Sequence, residues 1–354
     1  MNAAPAKKTA LIIGATGVSG RALISHLERQ ADWNVIGVSR KKPYFETRAR
    51  FIPVDLMDEA SCREGFSQAA DVTHVFYTAY ADDPDVAKTR VPNTRMFANA
   101  LAAIDAAAKN LAHVSLVQGT KYYGQHLGPF KTPAKEDDPR PPIAHFYYDQ
   151  QDLLMRTRAG KAWSYSTTRP HVICGFALGN PLNIISILAV YATLLREMGK
   201  PLTFPGKPGA FTSIYQATDA GLLARAMIWM ATTPACADQS FNVTNGDFFR
   251  YQNLWPAFAR HFGMELGGVE TIDLVAAMAD KEALWTAIKK KHGLKDHPLA
   301  MLANWHFGDY ALRNDWDVMS STTKLRQFGF CEVMDSEKMY LDQFAILQRE
   351  NIIP

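Results

Sequence analysis

The chain has 354 residues, 47% hydrophobic and 21% charged, the composition of a globular protein with one large or two closely joined domains. A formal charge of +3 is too small for this length to leave the basic footprint of a nucleic-acid binder. The longest apolar run, 184–195, is too short to cross a bilayer, and the ten histidines show no HExxH-like spacing, so neither a membrane nor a metal is expected.

Residues 9–13 (TALII) read as a buried strand, and 18–30 carry a helix pattern. Between them lies Gly14-Ala-Thr16-Gly17-Val18-Ser-Gly20. Gly14 permits a tight turn, Gly17 lets backbone approach a pyrophosphate, and Gly20 lets the helix pack closely on the sheet; the helix N-terminus then holds phosphates. This GxxGxxG spacing is the short-chain-reductase version of the dinucleotide motif, and Thr16 and Val18 fall inside the same turn. The second strand, 34–39, ends in Ser39-Arg40-Lys41-Lys42. An acidic residue there would bind a ribose 2′-hydroxyl, whereas Arg40 favours a 2′-phosphate, so NADP(H) is the expected cofactor. A third strand, 51–54, leads into Asp55 and Leu56, placed to neighbour the adenine.

Helix patterns at 59–69 and 92–109 alternate with strands at 74–79 and 112–118. That rhythm predicts an α/β fold with a doubly wound parallel Rossmann sheet of the extended short-chain-reductase type. After 163–169 the rhythm breaks. Asn180-Pro181 opens an apolar helical stretch, 182–198, which ends at Gly199. A helix at 218–231 precedes a strand at 241–244, and further helices are predicted at 253–262, 272–292, 321–328 and 336–350. The expected organisation is a nucleotide-binding domain over 1–178 and a smaller, mainly helical substrate part over 179–354. The two interleave, with about 211–245 returning to the first. The apolar stretch 182–198 suits either plain core or a hydrophobic lid over the substrate, joined by Phe130, Trp305 and Phe307.

Most short-chain reductases use Tyr-x-x-x-Lys on one helix, where the spacing puts both side chains on one face. None of the 13 tyrosines here has Lys four residues later. Tyr147 and Tyr148 are followed at that spacing by Gln151 and Asp152, and a carboxylate beside Tyr148 would raise its pKa. A lysine does appear after the fifth strand, in Gln118-Gly-Thr-Lys121-Tyr-Tyr-Gly124, at the carboxyl edge where doubly wound folds hold ligands. Tyr123, close by, could face the nicotinamide.

Taken together, these features resemble the progesterone 5β-reductase/iridoid synthase-like enzymes, an atypical branch of the short-chain reductases. The family's TGxKHYxGPF motif is similar to Gly119-Thr-Lys121-Tyr-Tyr with Gly128-Pro-Phe130 after a short insertion. Glu136-Asp-Asp-Pro-Arg140, the run His145-Phe-Tyr147-Tyr148-Asp149-Gln-Gln-Asp152 and Trp163…Arg169-Pro-His-Val-Ile-Cys-Gly-Phe176 match further motifs. So do Phe241-Asn-Val-Thr-Asn-Gly-Asp247, Trp305-His-Phe-Gly-Asp309 and Ile352-Ile-Pro354, so the resemblance spans essentially the whole chain. It implies Lys121 and Tyr147 as the catalytic pair, NADPH as donor and an activated C=C of an enone or enal as acceptor. Tyr123, Phe130, Tyr148, Trp305 and Phe307 are the expected pocket residues, and Tyr147 also neighbours the cofactor. Tyr122, His145 and Gln151 depart from the family's His, Asn and Glu.

The rival functions are a carbonyl reductase or sugar-nucleotide epimerase on the same fold, against which the missing YxxxK counts, and a non-enzymatic NADP sensor. His126, His145 and His171 are expected to be hydrogen-bonded scaffold. Cys62, Cys174, Cys236 and Cys331 form no CxxC pair, and the start shows no secretory pattern, so reduced thiols in a cytoplasmic protein are expected. The expected partner is a small apolar substrate, with a homodimer suggested only by symmetry base rates.

Overall fold

The computed structural model describes residues 7–83, 85–180 and 182–354, so Pro181 lies outside the described residues. The first half alternates strand and helix: β1 Lys8–Ile13, α1 Val18–Leu27, β2 Trp33–Ser39, β3 Arg50–Pro53, α2 Glu59–Ser67, β4 His74–Tyr77 and α3 Arg90–Ala107. It continues through β5 His113–Val117, α4 Phe146–Arg158 and β6 Ser164–Pro170. Then come β7 Ile173–Cys174, α5 Ile184–Glu197, β8 Leu202–Phe204, α6 Pro208–Thr212, β9 Thr218–Asp219, α7 Ala220–Thr232 and β10 Gln239–Val243. The remainder is mainly helical: α8 Tyr251–His261, the short strand β11 Leu266–Val269, α9 Leu274–Met278, α10 Glu282–His292 and α11 Leu299–Leu302. It closes with α12 Trp305–Ala311, α13 Thr323–Gln327 and α14 Ser336–Arg349.

Seven strands form one parallel sheet in the order β10-β6-β5-β4-β1-β2-β3. Alternate residues of β1 face opposite sides, as the two-residue strand period requires. Leu11 and Ile13 pack under Phe66 of α2, Phe97 and Leu101 of α3 and Leu154 of α4. Ala10 and Ile12 pack under Leu23 of α1 and Leu223 and Met227 of α7. Strand order reverses between β1 and β4, and such a switch point opens a crevice at the carboxyl edge of the sheet.

A second core is built around α5, every residue of which from Ile184 to Leu195 is buried. It packs against Trp255 and Phe258 of α8, Trp285 of α10, and Tyr340 and Phe344 of α14. The lid expectation for 182–198 is therefore corrected: a helix buried on all its faces is core. Only the segment leading into it, through Gly179, Asn180 and Leu182, reaches the crevice. The single helix expected over 272–292 is also corrected, because a turn at 279–281 divides it into α9 and α10. The apolar residues that suggested one helix, Leu274, Met278, Trp285 and Ile288, all enter this core, but from two segments.

Candidate active site

At the carboxyl edge lies a cleft of about 940 Å³. Its nucleotide end is the turn after β1. Gly14 adopts φ +86°, which a side chain would strain. A Cβ on Gly20 would lie 2.2 Å from the Gly14 carbonyl oxygen, so Gly20 supports the turn from beneath and does not itself line the cleft. Gly14, Thr16, Gly17 and Val18 do line it. Helix α1 has no side-chain cap at Gly17, which leaves the amides of its first turn directed at the cleft as anion donors.

Ser39 and Arg40 line the cleft at the end of β2, the hydroxyl of Ser39 donating to the Lys41 carbonyl. Asp55 and Leu56 line it after β3. One oxygen of Asp55 accepts from the Met57 amide at 2.9 Å, and the Leu56 carbonyl accepts from Asn99 Nδ2 at 2.9 Å, so this loop is held from both sides.

At the other end, the turn Thr120–Tyr123 after β5 carries Lys121, and the first turn of α4 carries Tyr147; both line the cleft. The helix begins here because His145 Nδ1 accepts from the Tyr147 amide at 3.1 Å, the cap an Asn side chain would also supply. Burial pushes the His145 imidazole down to about 3, which keeps that nitrogen an acceptor. The Tyr147 hydroxyl hangs over Gly119, where a Cβ would stand 3.0 Å from it, and it makes no hydrogen bond among the described residues. Burial, and then the neighbouring Tyr310, push its pKa well above the ordinary phenol value.

Gln118 anchors the region by donating from Nε2 to the Tyr147 carbonyl at 3.0 Å and accepting from Arg169 Nε at 3.2 Å. Val172, which also lines the cleft, has φ +31°, a strained value for a β-branched residue, with its carbonyl bonded by the Thr218 amide. His171 meets the Thr120 hydroxyl at 2.6 Å and His145 caps α4, whereas His126 Nδ1 is buried without a partner.

Four expected pocket residues lie elsewhere. Tyr123 donates to Asn242 Oδ1 at 2.6 Å and accepts from Arg169 at 2.9 Å, and Tyr148 donates to the Tyr122 carbonyl at 2.7 Å. Both belong to a packed cluster behind the cleft, where phenols find fixed partners. Phe130 bridges that cluster and the second core, and Trp305 packs on the second core; neither lines the cleft. Phe307 does. The expected influence of Asp152 on Tyr148 is also corrected. Arg140 engages Asp152 at 2.8 and 3.0 Å, while burial, followed by Tyr122, raises the Tyr148 phenol to about 12.

Sequence reasoning missed Tyr310, Gln125, Tyr80 and Asp82, all of which line the cleft. Tyr310 carried a signal: it lies three residues after Phe307, on the same face of one helix, and their rings are 6.1 Å apart. The others sit in loops, where no periodicity points.

Among the described residues there is no cluster of metal-ligating side chains and no helix long and apolar enough to cross a membrane. The profile of the PRISE-like Rossmann-fold domain family matches residues 55–354. A short chain dehydrogenase, gsfE, of Penicillium aethiopicum is 33% identical over 98% of this chain and 99% of its own length. A 3-oxo-Delta(4,5)-steroid 5-beta-reductase of Arabidopsis thaliana is 33% identical over 98% of this chain and 94% of its own. An (S)-8-oxocitronellyl enol synthase of Antirrhinum majus is 32% identical over 98% and 93%. Among solved structures, a Thermotoga maritima UDP-glucose 4-epimerase aligns with TM-score 0.70 at 13% identity, covering 96% of this chain and 99% of its own. An Agrobacterium tumefaciens short-chain dehydrogenase/reductase superfamily protein aligns at 0.67 and 15%, covering 97% and 98%; identities this low establish the shared fold alone. With the profile covering most of the chain and relatives matching nearly all of it, the protein belongs to the PRISE-like Rossmann-fold family and is an oxidoreductase of the short-chain dehydrogenase/reductase superfamily.

Proposed function

We propose that this protein reduces the activated C=C bond of small enones or enals by 1,4-addition, with NADPH as donor. The carrying observation is that an unbonded Tyr147 hydroxyl, on a half-buried residue, and Lys121 line the same cleft as a glycine turn and an uncapped helix N-terminus. That turn and Arg40 suit a dinucleotide with a 2′-phosphate. Bound there, NADPH would supply the hydride.

Reduction at the β-carbon moves negative charge onto the carbonyl oxygen, which needs a donor in a site of low polarity. Tyr147, held protonated by burial, provides the O–H. Lys121, which lines the same cleft, adds positive charge to it. Among the described residues Lys121 has no ion-pair partner within 4 Å, and Asp82 attracts it only from farther off. The α-carbon takes its proton from water, and no second acid is required. The names of the reductase and enol synthase relatives support the same chemistry.

Incubating the protein and NADPH with a panel of enones and enals, and identifying products by NMR, tests the reading. A saturated carbonyl compound is expected. An allylic alcohol as main product would mean direct carbonyl reduction and would overturn it.

A further inference from the structure

We infer that Tyr310 is a positioning residue that seats the ammonium of Lys121 for catalysis; this rests on the reading of Lys121 given above. Lys121 Nζ lies 5.0 Å from the centroid of the Tyr310 ring, inside the range of a cation–π contact. It is the one cation–π contact of Lys121 among the described residues, and Asp82 adds a longer-range attraction that favours the ammonium. Besides Tyr310, its charged or titratable neighbours are Asp82, His126 and His145. Burial pushes His126 to about 4 and His145 to about 3, so both stay neutral near pH 7. Asp82 is exposed and forms no ion pair with Lys121 within 4 Å among the described residues.

The ring is itself fixed. Its hydroxyl reaches Gln125 Oε1 at 3.2 Å, and Gln125 is 2% exposed in the turn that follows Lys121. The Phe307 ring lies 6.1 Å from it with the ring planes 28° apart. Tyr310 comes from α12 in the second core, whereas Lys121 and Gln125 come from the loop after β5 in the sheet. A flexible four-carbon stem is thus aimed by an aromatic face from the other half of the molecule. A lysine free to swing would hold its charge near the reacting oxygen for only part of the time.

The experiment compares Tyr310→Phe, Tyr310→Leu and Tyr310→Met with the wild type, using NADPH and one enone that the wild type reduces. Phe keeps the π face and loses the hydroxyl; Leu and Met lose the face. We expect Phe to retain most of kcat, and Leu and Met to lose about tenfold in kcat with little change in the KM for NADPH. Losing the face also removes a stabiliser of the ammonium. The alkaline limb of the kcat profile should therefore move to lower pH by about half to one and a half units in Leu and Met, and stay in place in Phe. Met fills similar space without a π face and serves if Leu does not fold. Wild-type kcat and an unmoved limb in Leu or Met would overturn the inference, as would a loss in Phe equal to theirs. Lys121→Met separates the two readings. Full activity in that variant would remove the catalytic role of Lys121 itself, whereas its loss alongside unaffected Tyr310 variants would remove only the seat.

Discussion

In the proposed reaction Tyr147 would act through its proton. Burial raises its pKa, and Lys121 is not among the groups that lower it, which suits a neutral donor and not a tyrosinate. Tyr147→Phe should lower kcat for enone reduction by roughly 10²–10³, the scale of one lost oxyanion donor. Tyr148→Phe should cost far less, because its hydroxyl is bonded to a backbone carbonyl behind the cleft. Steady-state kinetics on both variants check the assignment, and equal losses would remove it. Arg40 tests cofactor choice at the other end: Arg40→Ala should raise KM for NADPH much more than for NADH. Equal effects would make the arginine general electrostatics.

Two helices carry separable duties. Helix α4 starts where it does because His145 caps it, and that start sets the height of Tyr147 over Gly119. His145→Ala should lose about 1 kcal/mol of stability, while His145→Asn, which keeps an acceptor, should lose much less. Urea unfolding of the two variants gives the comparison. Helix α5 has the opposite character, being core throughout its apolar run. Leu188→Ala should cost about 2–5 kcal/mol by opening a cavity, with KM for the enone nearly unchanged in the folded fraction. A large KM effect without loss of stability would restore a lid role.

Across the whole molecule, burial holds several histidines neutral. It lowers His74 and His126 to about 4, and His113, His145 and His171 to about 3. In the unfolded chain each would protonate near its ordinary value of about 6.5. Between those limits the unfolded state binds more protons, so stability rises with pH there and falls as the solution is acidified. The melting temperature should thus drop progressively as pH goes from about 6.5 towards 4, before most carboxylates titrate. A flat profile over that window would show these rings to be solvated. His113, bonded at both nitrogens by Ser164 and Ser166 and away from the cleft, is one to examine by replacement.

The sheet and nucleotide turn were legible in the sequence because both are written in local terms. Strand and helix periods repeat every few residues, and Gly14, Gly17 and Gly20 act within one turn. Lys121 and Tyr147 were found through motifs, since nothing in local spacing joins residues 26 positions apart. Which aromatic residues face the cleft was not local at all. Tyr123, Tyr148, Phe130 and Trp305 sit near the site in sequence motifs yet pack behind it, because Arg169, Asn242 and the second core provide their partners. Tyr310 arrives from a distant helix to cover Lys121. The sequence by itself determined the fold class, the nucleotide turn and the absence of a YxxxK helix, each decided by neighbours along the chain. Only the tertiary structure decided that α5 is core and that Tyr310 belongs to the site, because burial and facing depend on how separate segments pack.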